Sequence, residues 1–163
     1  MRHGRYLVLA LSLVGIAAWV QAQPRSAKSL SAQDYFEIQQ LYARYNHAID
    51  SGDAEGWAGT FTPDGTFNKV AGHDALVGFV RTWVEKMNGG ARRHWNTNLL
   101  ITPTPDGAKG AVYLFLLDIS AKPPAIAAAA HYDDVLVRTA QGWRFKSRAT
   151  TGDTAPAKPT TNQ

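Results

Sequence analysis

The sequence predicts an α+β fold in which helices come first and a curved, mostly antiparallel sheet follows. Two features carry this. Apolar residues recur at helical spacing through residue 87, and past residue 91 that period gives way to β-rich segments separated by turn signals. The resulting order, α-α-β-α-β-β-β-β without an internal repeat, suits a sheet wrapped onto helices with room for a pocket between its concave face and the first helix.

The chain opens on a segment outside that fold. Arg2 and Arg5 precede an apolar run from Leu7 to Val20, and Ala22 supplies a small residue before a cleavage point. Residues 1–22 are expected to be a cleaved export signal, leaving the protein periplasmic or secreted, with no membrane association after signal removal. Losing Arg2 and Arg5 lowers the net charge from +4 to +2. So small a surplus, with no basic stripe, argues against nucleic acid as a partner. With no cysteine, the domain must rest on its core alone. Residues 23–30 read as a flexible leader, 31–152 as the folded domain and 153–163 as a disordered tail rich in Pro, Thr, Ala and Lys.

Ser31-Ala32-Gln33-Asp34 is a capping-box signal for the first helix. Ile38, Leu41, Tyr42, Tyr45 and Ile49 give it one apolar stripe ending at Ser51-Gly52. Asp53 is placed to cap a short second helix carrying Trp57 and Phe61 one turn apart. Pro63-Asp64-Gly65 reads as a turn and Thr66 to Val70 as a strand. After Gly72, the residues Leu76, Phe79, Val80, Trp83 and Met87 form a third amphipathic face, stopped by Gly89-Gly90. Segments 92–103, 108–120, 127–139 and 143–151 are the remaining strands, divided by Pro105-Asp106-Gly107, Pro123-Pro124 and Gln141-Gly142.

His94 and Asp50 are the candidate catalytic residues. An imidazole titrates near neutral pH, and a carboxylate on one ring nitrogen fixes its tautomer and orientation. The alternative is a hydrogen-bonded structural histidine and a carboxylate capping the next turn. Strand alternation puts Asn96 and Asn98 on the face of His94, as donors to a substrate oxygen or as partners of backbone at a bulge. Tyr45, Tyr113 and Tyr132 are candidates for substrate binding; Tyr45 also belongs to the apolar stripe, for which the alternative role is core. Asp134 has two possible partners, Arg138 and Arg148. The five histidines lack ligand spacing, so no metal is expected. No glycine-rich phosphate loop or nucleophile elbow is present, and no cofactor is expected.

Arg44-Tyr45, Ile49-Asp50-Ser51-Gly52-Asp53 and Pro63-Asp64-Gly65-Thr66-Phe67 resemble the opening of SnoaL-like proteins, which belong to the nuclear transport factor 2-like superfamily of cone-shaped folds. Arg93-His94-Trp95, Asn98, Tyr132-Asp133-Asp134 and Gly142-Trp143-Arg144-Phe145 with Arg148 continue the similarity in order. The resemblance implies an α+β cone, a small-molecule ligand or substrate, and often a homodimer through the outer sheet face. It leaves function open among dehydratases, isomerases, cyclases and non-catalytic binding or accessory modules.

Two enzyme branches compare residue by residue. Asp50 and His94 match the aspartate and proton-moving histidine of scytalone-dehydratase-like members. Ile49 stands where that branch has a tyrosine, and Tyr113 where it has a second pocket histidine. Tyr45 matches the oxyanion-holding tyrosine of the ketosteroid-isomerase-like branch. Lys69, however, occupies the place of its general base, so that mechanism does not carry over. The expectation is a cofactor-independent lyase or isomerase working by His/Asp proton transfer on a small, oxygenated, partly apolar molecule, with a non-catalytic binder as the alternative.

Overall fold

The computed structural model describes residues 29–87 and 91–153. The export signal, the leader through residue 28, the Gly89-Gly90 helix stop and the tail from residue 154 lie outside them. Helix α1 (Ala32–Ser51) starts on a complete capping box: Ser31 Oγ accepts from the Asp34 amide, and the Asp34 carboxylate accepts from the Ser31 amide. It ends at Gly52, whose φ of 75° places it in the left-handed region that glycine tolerates best. Its stripe of Ile38, Leu41, Tyr42, Tyr45, Ala48 and Ile49 is buried. Asp53 then caps α2 (Ala54–Ala58) by accepting from the Gly56 amide.

Here the turn signals mislead twice. Phe61 does not continue the short helix; it begins strand β1 (Phe61–Phe67), which runs through Pro63-Asp64-Gly65 as an irregular stretch in its pairing. The expected strand over residues 66–70 is instead the hairpin that closes β1 onto β2 (Val70–Ala71), with Asn68 at φ 52° in the turn. Asparagine accepts that conformation at low cost, and its side-chain oxygen accepts the Thr150 amide. Helix α3 (His73–Met87) follows, burying Leu76, Val77 and Val80.

The long strands are β3 (Arg92–Thr104), β4 (Gly107–Asp118), β5 (Ala125–Thr139) and β6 (Gly142–Gly152). They form one six-stranded sheet ordered β2-β1-β6-β5-β4-β3, antiparallel except where β1 runs parallel to β6. Register shifts interrupt the β1–β6, β3–β4, β4–β5 and β5–β6 ladders, and such bulges add the twist that curves a sheet around helices. The sheet is curved and unclosed, a cone whose concave face carries Val112, Leu114, Tyr132, Leu136 and Phe145 into the core with α1. Alternation sends Trp95, Tyr113 and Phe115 to the convex face, where they are exposed. Strand β3 is one edge of the sheet, and the end of α1 lies against it.

Candidate functional site

Helical spacing brings Asn46, His47 and Asp50 to the side of α1 that faces β3. Asp50 sits in the last turn, where the helix dipole disfavours an anion and no basic residue compensates. Its partners come from the edge strand. The two carboxylate oxygens accept the His94 backbone N–H at 3.2 and 3.1 Å, and Oδ1 lies 2.6 Å from His94 Nδ1. A carboxylate can only accept, so Nδ1 carries the proton and the Nε2 lone pair of the neutral ring is free. Among the described residues Nε2 has no hydrogen-bond partner. The imidazole also meets Trp83 of α3, ring centroids 6.0 Å apart.

The pair lines an open cleft of about 980 Å³ between α1 and the β3 edge, with Asn46, His47 and Asn96 also in its wall, and the cleft reaches round the edge to Trp95 and Phe115 of the convex face. This volume is ample for a small ligand. An imidazole anchored on a carboxylate through one nitrogen, in a residue that lines such a cleft, can take and return a proton.

The other predicted residues separate from this pair. Tyr45 is wholly buried, its ring packed on Trp57, Phe61, Tyr132 and Phe145 at 5.2–6.1 Å between centroids, and it does not line the cleft. Tyr132 is buried in the same core. Tyr113 is a correction: it points from the convex face, more than half exposed, because β4 alternation opposes it to the buried Val112 and Leu114. Asn98 is another. The β3–β4 register slips between Thr97 and Leu100, Asn98 takes a φ of 57°, and the side chain is exposed rather than beside His94. Asn96, before the slip, keeps the inward alternation.

What sequence reasoning left undecided is the centre of the cone. The Arg148 guanidinium is fully buried and grips Asp134 with two bonds of 2.7 Å. Tyr42 donates to the same carboxylate. Direct pairing of Asp134 with Arg148 across β5 and β6 decides between the two arginines; Arg138 instead pairs with Asp34 and Glu37. The guanidinium carbon lies 4.1–4.8 Å from the ring centres of Tyr42, Tyr45, Tyr132 and Phe145. Burial pushes the hydroxyls of Tyr42, Tyr45 and Tyr132 above the ordinary tyrosine range. Burial alone would lower Arg148; the Asp134 carboxylate outweighs it and holds the guanidinium above its usual value. This region is packed with buried side chains. Among the described residues no cluster of three or more His, Asp or Glu is placed to hold a metal ion.

Residues 31–149 match the SnoaL-like domain family. An uncharacterized protein of Mycobacterium tuberculosis is 28% identical over 124 residues, covering 72% of this chain and 84% of its own. A Catenulispora acidiphila protein solved in complex with S-DNPA has a TM-score of 0.68 and 32% identity, over 76% of this chain and 96% of that one. A nuclear transport factor 2-like protein with a cystatin-like fold from Novosphingobium aromaticivorans has a TM-score of 0.69 at 23% identity, over 77% and 85% of the two chains. The chain belongs to the SnoaL-like family and has its nuclear transport factor 2-like cone fold.

Proposed function

We propose that this chain is an enzyme of lyase or isomerase type that moves protons on a small, oxygenated, partly apolar molecule bound in the α1–β3 cleft. One observation carries the reading: the 2.6 Å contact that anchors His94 Nδ1 on Asp50 beside the cleft. In this mechanism Nε2 removes a proton from carbon next to a carbonyl, leaving the electron pair as an enolate. Asp50 stabilises the imidazolium that results. The imidazolium then returns the proton to another carbon, which isomerises the molecule, or to a departing hydroxyl, which leaves as water. Proton transfer of this kind needs no cofactor. The ligand complex of the Catenulispora acidiphila relative supports a small molecule as the natural partner.

A non-catalytic binder is the second reading. It is favoured by the additional bonds from the His94 backbone N–H to Asp50, which give the carboxylate a purely structural task at the sheet edge. Deuterium exchange separates the two. The purified protein is incubated in D₂O with a panel of hydroxy-ketones and phenolic ketones, and loss of the α-carbon proton is followed by NMR. For a ketone that the wild type exchanges, His94→Gln is expected to lose ~10²–10⁴-fold of the rate. A variant that keeps the wild-type rate removes His94 from the chemistry.

The reading also includes export and a homodimer. Export places a mature start at Gln23, which mass spectrometry of exported protein tests; an intact Met1 in that fraction contradicts it. The dimer would cover the convex face around Trp95, Leu100, Tyr113 and Ile126, all more than half exposed.

A further inference from the structure

We propose that Asn96 and Asn46 are ligand-binding residues of the cleft, and that the ligand presents a hydrogen-bond donor directly beside an acceptor. The inference rests on the cleft being the ligand site, and it does not require His94 to act as a base. Asn96 follows His94 by two residues on the same face of β3, and Asn46 precedes Asp50 by one helical turn on α1. Both line the cleft.

Their polar atoms are among those this domain leaves buried without a partner, and of these residues only Asn46 and Asn96 line the cleft. Asn96 Oδ1 and Nδ2 and Asn46 Oδ1 are all buried without a hydrogen-bond partner among the described residues. In a native fold a buried amide with neither end bonded is costly and calls for a partner. The sheet does not supply one: opposite Asn96 stands Leu114, and opposite His94 stands Leu116. A leucine would suit this apolar setting better than an amide, so the fold gains nothing from the amide by itself.

The donor set then defines the ligand. Whichever way the Asn96 amide is turned, one donor and one acceptor remain to be met side by side. Asn46 Oδ1 adds a second acceptor, which calls for an N–H or O–H donor. A simple carboxylate offers acceptors alone and leaves both amide oxygens unmet. A quaternary ammonium offers neither partner. The fit is to a group with adjacent donor and acceptor, such as the enol of a 1,3-dicarbonyl, a hydroxy-carbonyl unit or a cis-amide.

The test pairs 2-pyridone, whose N–H and C=O stand side by side, with 1-methyl-2-pyridone, which lacks the donor. Each is titrated into ¹⁵N-labelled protein while the Asn96 side-chain NH₂ signals are followed. The wild type is expected to prefer 2-pyridone by about tenfold or more, the worth of one well-made hydrogen bond. Asn96→Leu is expected to abolish that preference and, tested alone by thermal melting, to raise the melting temperature, because it removes an unpaired buried amide. Equal affinity of the wild type for the two probes overturns the proposal, as does no response at Asn96. An Asn96→Leu protein that melts below the wild type, or fails to fold, overturns it too, since the amide would then be serving the fold. None of these results touches the deuterium-exchange assay, which reads His94.

Discussion

Replacing Asp134 with asparagine should be the most damaging single change in the cone. The carboxylate takes both guanidinium bonds of Arg148 and the Tyr42 hydroxyl, and both charged side chains are wholly shielded from water. Asparagine keeps the volume and removes the charge. It leaves a cation enclosed by four aromatic rings whose faces compensate only part of the lost attraction. Breaking a buried pair from one side costs about 3–5 kcal/mol, because the remaining ion is uncompensated. For a domain of this size, that lowers the melting temperature on the order of 10–20 °C. Urea unfolding followed by circular dichroism gives the free energy directly. The double change Asp134→Leu with Arg148→Met removes both charges and should cost clearly less than Asp134→Asn alone. An Asp134→Asn protein within about 1 kcal/mol of wild type would mean that Arg148 reaches water. The cone would then be an open polar pocket, and placing ligand access at the cleft would be wrong.

Two further outcomes are expected. Hydrogen bonds from the Ser31 amide and hydroxyl, then from the Trp143 indole and with Arg138 nearby, hold the Asp34 carboxyl down to about 2. Its folded value lies below its unfolded one, so it stabilises the fold above about pH 4, and that stability is lost as pH falls toward 2. Ser31→Ala should cost about 1 kcal/mol at neutral pH and flatten that acid limb in pH-dependent melts; an unchanged limb contradicts the capping account. For the convex face, Trp95→Ser with Ile126→Ser should shift light-scattering mass from dimer to monomer, and a wild type that is already monomeric dismisses the dimer.

The sequence made regular elements legible and irregular ones opaque. The stripe from Ile38 to Ile49 is an i, i+3, i+4 pattern, and α1 follows it to its caps. Tyr45 is part of that same stripe, and packing claimed it. Asn98 was misplaced because alternation assumes an unbroken ladder, whereas one slip between Thr97 and Leu100 turned it outward. Pro63-Asp64-Gly65 carries every mark of a turn, yet it lies within strand β1 as the irregular stretch between the Phe61 and Thr66 pairings with β6. The contact between Asp50 and His94 spans 44 positions and has no local code; the chemistry of an imidazole with a carboxylate made the pair a candidate, and the resemblance favoured it over a structural role. Asp134 and Arg148 likewise needed the β5–β6 register, which sets them directly opposite.

The protonation pattern of the His94 ring tests the central claim most directly. Long-range ¹⁵N–¹H correlation spectra of the labelled protein, recorded where the ring is neutral, assign the proton to one nitrogen. With Asp50 Oδ1 accepting at 2.6 Å, the account predicts the proton on Nδ1 and a bare Nε2, with that preference lost in Asp50→Ala. A neutral His94 protonated on Nε2 in the wild type would leave no base facing the cleft, and would contradict the proposed chemistry at its first step.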